Sequence, residues 1–285
     1  MNRGVCADRS FAAAASLLSS LRPAFVLISH CFSSITWRAT VCATLAVAGT
    51  GAAPVAWSGA RLAAQVSATM PAATPALADV SDLPLVEVPV QRSGVLTLAI
   101  FLSGDGGWAD LDRQVSDVLA AHGVGVVGLN ARAYLSKRKT PDEAARDVAR
   151  IARAYSARWG TRRLVLVGYS RGATMVPFVA TRLPADLRQQ LVLLAMLGLE
   201  PATNFQFHWV DILRDTRRTD DLPVAPELER LRGQHMLCVY GTGEKASACR
   251  DADPALLTKV ARPGDHHFDG DYRALGDLIL GQLTP

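Results

Sequence analysis

The chain has 285 residues, 49% hydrophobic and 20% charged, a globular composition with enough apolar material for a sizeable core. Its formal charge of +4 does not mark a nucleic-acid binder, because Arg3, Arg9, Arg22, Arg38 and Arg61 precede residue 79 against the single acid Asp8. Residues 79–285 therefore carry 25 basic and 25 acidic side chains, and a neutral body offers no basic face for phosphates.

Residues 1–78 read as a leader, rich in Ala and Ser and nearly free of acids. Arg38 precedes the apolar run "ATVCATLAVAGTGAAPVAW" (39–57), the layout of a secretory signal, and "PALADV" offers a small-x-small cleavage site at 76–78. The stretch is longer than a simple signal, which places the true start downstream of Met1 as one reading. Export to the periplasm is expected. An uncleaved anchor in the inner membrane is the competing reading, weakened by Pro54 and the many Gly and Ala residues. Cys6, Cys31 and Cys42 fall in the leader, leaving Cys238 and Cys249 in the body. These two flank a turn-rich stretch and are expected to pair in an oxidising compartment, where so short a loop contributes roughly 3 kcal/mol. The alternative is two unrelated thiols.

The body alternates strand and helix. Expected strands are "LVEVPV" (85–90), "VLTLAIFLS" (95–103), "VGVVGLN" (124–130), "RLVLVG" (163–168), "LVLLAML" (191–197), "HMLCVYG" (235–241) and "LTKVA" (257–261). Most are continuously apolar, as strands covered on both faces must be. Helices are expected over 110–121, 141–158, 171–182 and 271–283, the second opening on Thr140 as N-cap with Pro141 and Glu143 in a capping box. Residues 79–285 thus form one doubly wound α/β domain of about 200 residues. Residues 199–232 break the rhythm with Phe205, Phe207 and Trp209 followed by "RDTRRTDD". They cover an active site or form a solvated loop and surface helix; the sequence favours neither.

Chemistry concentrates at "RLVLVGYSRGATMVPFVA" (163–180), a buried strand, a Gly168-x-Ser170-x-Gly172 pivot and a small-residue helix. That context is a nucleophile elbow: glycines permit the sharp turn, and the serine oxygen is exposed at the carboxyl end of the sheet. The plainer reading makes Ser170 a helix cap. A serine hydroxyl needs a base, and in elbow folds the order is Ser, acid, His. "RPGDHHFDGDY" follows the last strand and supplies His266 as the base, with His267 left to packing or to the substrate. "CVYGTGEKASAC" supplies Glu244 to orient the imidazole, with Asp211 in reserve. His122 reads as a helix-end residue, His208 as a loop residue and His235 as a strand-start residue.

"FLSGDGGWADLD" (101–112) follows an early strand, where elbow hydrolases place one oxyanion donor. Gly104, Asp105 and the N–H of Arg171 are the candidate oxyanion hole. Asp105 caps the turn or meets a cationic part of a substrate; Trp108, Tyr169, His267 and Asp269 are further candidate substrate contacts. The same stretch matches G-x-G-x-x-A, but Asp105 would repel a pyrophosphate and the next strand ends in Asn130, not in an acid for a ribose. No cofactor and no metal-ligand spacing is indicated.

Taken together, "SGDGGWADLD", "TPDEAARDVARI", "VGYSRGATMVPF", "CVYGTGEKASAC" and "PGDHHFDGDY" resemble the bacterial VirJ/AcvB virulence-protein family, in its shorter, VirJ-like form. The likeness runs over residues 85–285. It implies a periplasmic protein of α/β-hydrolase fold that hydrolyses aminoacylated phosphatidylglycerol, lysyl-phosphatidylglycerol above all, and is linked to virulence and to proteins of type IV secretion. The family's nucleophile falls on Ser170, its glutamate on Glu244 and its histidine pair on His266 and His267. Gly264-Asp265 stands where the family tends to have Gly-Gly, and the added carboxylate is expected to raise the pKa of the base. The alternatives are an esterase or thioesterase of another substrate, and a non-catalytic periplasmic binding or chaperone factor for a secretion system.

Overall fold

The computed structural model describes residues 78–88, 90, 96–207, 219 and 221–283, all within one compact unit, Met70–Pro285. The leader with its three cysteines lies outside the described residues, as do His208, Trp209 and the reserve acid Asp211.

In chain order the elements are β1 (Leu85–Val88), β2 (Thr97–Leu102), α1 (Asp110–Ala121), β3 (Val124–Leu129), α2 (Ala131–Tyr134), α3 (Pro141–Trp159), β4 (Arg163–Tyr169), α4 (Arg171–Arg182), α5 (Ala185–Arg188) and β5 (Leu191–Leu197). There follow β6 (Ala202–Thr203), β7 (Leu222–Pro223), α6 (Ala225–Arg230), β8 (Met236–Gly241), α7 (Ala248–Asp251), β9 (Thr258–Arg262) and α8 (Tyr272–Gly281). Each of the seven strands expected from the sequence belongs to one sheet, ordered β1-β3-β2-β4-β5-β8-β9, with β1 antiparallel to β3 and every other neighbouring pair parallel. This is a mostly parallel sheet with helices on both faces.

Alternation along the strands divides the core into two layers. Leu98, Ile100, Leu102, Leu164, Leu166, Leu194 and Met196 face α3 and α4. Ala99, Phe101, Val165, Val167, Leu193, Ala195 and Leu197 face α1 and α8. Both faces are dry, so the strands read as unbroken apolar runs. Helix α3 begins as its sequence requires: Glu143 N–H donates to Thr140 Oγ1 (3.2 Å) and Thr140 N–H to Glu143 Oε2 (2.7 Å). His122 caps α1, with Nδ1 2.8 Å from the Val118 carbonyl, and His235 stands just before β8.

Cys238 and Cys249 form the expected disulfide, joining fully buried positions of β8 and α7. The excursion after β5 contains the two-residue ribbon β6–β7 and the six-residue α6, elements too short for periodicity to reveal. Its aromatics are not all surface residues. Phe205 is 4% exposed and packs edge-on against Phe178 at 5.7 Å, while the Arg132 guanidinium lies over Phe207.

Because β2, β4, β5, β8 and β9 are parallel, their carboxyl ends share one edge, and the loops leaving them meet there. The closest approach is at α4. A Cβ on Gly172 would sit 2.0 Å from the Leu102 carbonyl oxygen, and one on Gly168 would sit 2.4 Å from that of Gly172. Gly172→Ala is therefore expected to push α4 off β2 and cost about 1–3 kcal/mol. Urea unfolding would show this as a lower midpoint at unchanged slope.

Candidate active site

Ser170 sits between β4 and α4 with φ 54° and ψ −119°, a conformation that side-chain-bearing residues avoid and that costs of order 1–3 kcal/mol. Its N–H donates to the Leu197 carbonyl (2.9 Å), its carbonyl accepts from Thr174 N–H (3.0 Å), and its side chain makes no capping hydrogen bond. The helix-cap reading of Ser170 fails on that geometry. The hydroxyl is left on a strained turn at the head of a helix, whose first N–H groups have no partner within the helix itself.

His266 arrives from the loop after β9. Gly198, directly after β5, has φ +65°, and a Cβ there would meet the His266 ring at 2.6 Å. The bare backbone thus makes room for the imidazole beside Leu197, whose carbonyl holds Ser170. His266 Nδ1 lies 3.2 Å from Glu244 Oε1. A carboxylate only accepts, so Nδ1 carries the proton and Nε2 presents its lone pair. Nε2 is buried and has no hydrogen-bond partner among the described residues, the Ser170 hydroxyl included, a costly state for a buried ring nitrogen. Burial pulls the His266 pKa down, but the Glu244 hydrogen bond and charge, helped by Glu200 and Asp265, outweigh it and leave it raised. Asp265, next to His266 in sequence, pushes in the anticipated direction.

Glu244 is buried between the disulfide cysteines, and its carbonyl accepts from Arg250 Nη2 (2.7 Å). Gly243 N–H donates to the Gly264 carbonyl (2.8 Å), and a Cβ on Gly241 would meet the Asp265 carbonyl at 2.0 Å. The acid loop and the histidine loop are thus pressed backbone to backbone. The latter is itself tightly wound: Gly264 has φ +90°, while Phe268 and Asp269 have φ 52° and 51°. His267 N–H donates to Asp265 Oδ1 (2.8 Å), which caps the turn.

Tyr169 has a part that spacing did not reveal. Its ring stacks on His266 (centroids 5.3 Å, 29°), and its hydroxyl donates to the His266 carbonyl (3.2 Å) and lies 3.1 Å from His267 Nδ1. Burial pushes its phenol pKa up, so it stays protonated as that donor. Tyr169 holds the His266 ring from below, and His267 is exposed beside it.

Two of the expected substrate contacts have partners within the protein itself. The Trp108 ring lies over Gly128 of β3, where a Cβ would come within 2.1 Å of it, and meets Phe101 edge-on at 5.6 Å. It packs the fold. Asp105 is bound by the protein's own cation: Arg171 Nε donates to both carboxylate oxygens (3.2 Å each) and Nη2 to Oδ2 (3.0 Å). A pairing between residues 66 apart leaves no local signal. Gly104 lies against the elbow, its Cβ position 3.3 Å from Ser170 Cβ, so the glycine-rich loop reaches the serine as the oxyanion reading requires. Asp269 is exposed and folds back over Gly264.

Residues 96–285 match the model of a family described as bacterial virulence protein (VirJ). No curated protein matches the chain. Among solved structures, an α/β serine hydrolase homologue from Coxiella burnetii is similar at TM-score 0.50 and 14% identity, over 70% of this chain and 91% of that one. Est1E from Butyrivibrio proteoclasticus gives 0.48 and 15% over 70% and 93%. A serine hydrolase without lid from Xanthomonas campestris gives 0.46 and 17% over 70% and 89%. The Coxiella likeness establishes the α/β-hydrolase fold.

The raised pKa of His266 has a kinetic sign. Protonated His266 cannot take the serine proton, so labelling of Ser170 by a fluorophosphonate is expected to rise with pH through an inflection above the ordinary histidine value of 6.5. Glu244→Gln removes the charge that outweighs burial. It should shift the inflection downward and slow labelling by on the order of 100-fold. An inflection that does not move would show that Glu244 does not act on the base.

Proposed function

The chain belongs to the VirJ family of bacterial virulence proteins, and from that premise we propose that it is a serine hydrolase of carboxylic esters whose substrate is aminoacyl-phosphatidylglycerol, the lysyl form first. The observation that carries the hydrolase reading is the strained Ser170 elbow beside a His266–Glu244 pair whose outer nitrogen, Nε2, is buried and unpartnered. The substrate comes from the family resemblance.

In this reading Ser170 Oγ attacks the aminoacyl carbonyl carbon while His266 Nε2 takes the hydroxyl proton. Glu244 holds the imidazole and stabilises the imidazolium. The oxyanion is met by the backbone N–H of Arg171 and by the loop at Gly104 and Asp105. Collapse breaks the ester C–O bond, and His266 returns the proton to the departing glycerol oxygen, releasing phosphatidylglycerol. Water, deprotonated by the same nitrogen, then splits the acyl-enzyme and frees the amino acid. With Asp105 engaged by Arg171, recognition of a lysyl ammonium moves to the histidine loop, where Asp269 is exposed.

Periplasmic placement is supported by the disulfide, a bond that persists in oxidising compartments. Among the described residues no helix is long and apolar enough to cross a membrane. Phe205 is buried in the core and is not available to a lipid surface.

The test is release of lysine and phosphatidylglycerol from liposomes containing lysyl-phosphatidylglycerol, by the wild type and by Ser170→Ala. Release by the wild type alone is expected. Release by neither, with fluorophosphonate labelling intact, would leave an esterase or thioesterase of another substrate. Without labelling, the non-catalytic secretion factor takes its place. Asp269→Asn is expected to raise KM about three- to fivefold for the lysyl lipid and leave the neutral alanyl lipid unchanged, the size of an exposed ion pair. Equal effects on both lipids would remove Asp269 from recognition.

A further inference from the structure

The glycine-rich loop after β2 must hold its N–H groups still opposite the elbow, yet glycine is the residue least able to hold a backbone by itself. Asp105 stands in that loop, and Arg171 is the residue whose N–H follows the nucleophile. Their side chains meet in a two-pronged ion pair, with both Nε and Nη2 of Arg171 on the carboxylate. The Arg171 side chain is 9% exposed and that of Asp105 26%, so the contact is shielded from water. Arg171 Nη1 also donates to the Asn204 carbonyl (3.4 Å), and Asn204 Nδ2 to Asp221 Oδ1 (2.9 Å), tying in both strands of the excursion near β6 and β7. On its other side the loop is moored by Ser103, whose N–H donates to the Leu129 carbonyl (3.1 Å) and whose Oγ accepts from Ala131 N–H (3.0 Å).

We infer that the Asp105–Arg171 pair is a clamp that sets the spacing of the two oxyanion donors, making both side chains positioning residues for the reaction. A planar guanidinium on a carboxylate fixes distance and angle together, which an ammonium does not. The clamp joins the loop supplying one donor to the residue supplying the other, so neither donor moves without the other. The catalytic part of this inference rests on the hydrolase reading; the mechanical part does not.

The experiment uses the full chain and two variants, Asp105→Asn and Asp105→Asn with Arg171→Gln. The double variant removes both charges of the pair together. Hydrogen exchange of the segment 101–108 is expected to become about tenfold faster in both variants, with β4 and β5 unchanged. Unchanged protection would overturn the clamp whatever the protein hydrolyses. On p-nitrophenyl butyrate, a neutral ester, kcat is expected to fall about 10- to 100-fold with KM within about twofold. The double variant should recover the melting temperature but not kcat. Full recovery of kcat by the double variant, or a loss confined to cationic esters, would overturn the positioning role. Faster exchange with no ester hydrolysed by the wild type would uphold the clamp and remove the hydrolase reading instead.

Discussion

The site depends on one close contact, the main chain of Gly172 against the carbonyl of Leu102. With no side chain at that point, α4 settles directly onto the edge between β2 and β4, and its first turn faces the loop that leaves β2. Ser170, two residues earlier, takes φ 54°. The strain is held by the layers on both sides: β4 is buried along most of its length, and α4 packs its Met175, Val176 and Val179 into the core. Stability made elsewhere in the sheet is what keeps the serine presented.

The parallel order of the strands does the remaining gathering. Elements far apart in sequence end on one edge, so short loops suffice to bring Gly104, Ser170, Gly198, Glu244 and His266 together. Glycine recurs where backbones touch: Gly198 makes space for the imidazole, and Gly241 for the turn that carries it. The disulfide closes the segment bearing Glu244 between a fully buried strand and a short helix. A carboxylate in a loop of that kind is held by its frame more than by its own neighbours.

Legibility followed the range of each interaction. Strands covered on both faces announce themselves as apolar runs, and β2, β3, β4, β5 and β8 read true to within a residue or two at each end. The elbow is local, three residues of fixed type between a strand and a helix. The disulfide followed from two cysteines close in sequence. The Asp105–Arg171 pair was not legible, because nothing near either residue names its partner. The packing of Trp108 was not legible either, because Gly128, on another strand, is the flat surface that receives its ring. Phe205 belongs to the core because Phe178 of α4 faces it, again a contact only the fold creates. Strands of two residues, such as β6 and β7, carry no period at all.

The histidine shows how opposed forces are set against each other in one side chain. Burial disfavours the imidazolium and would by itself leave His266 a weak base. Glu244 reverses this from the Nδ1 side, and Asp265 and Glu200 add to it from farther off. The ring is held by Tyr169 beneath and by the bare Gly198 backbone beside it, so it has little freedom to turn Nε2 toward solvent. An unpartnered nitrogen in such a place is a standing cost to the fold. It is bearable because the surrounding contacts fix the ring more firmly than one lost hydrogen bond can disturb it. The same arrangement leaves the lone pair dry, strengthened by the carboxylate behind it and unoccupied by any other group. In the proposed hydrolase, the base accepts and releases a proton in turn, and the buried Glu244 is a counter-charge that stays in place through both states.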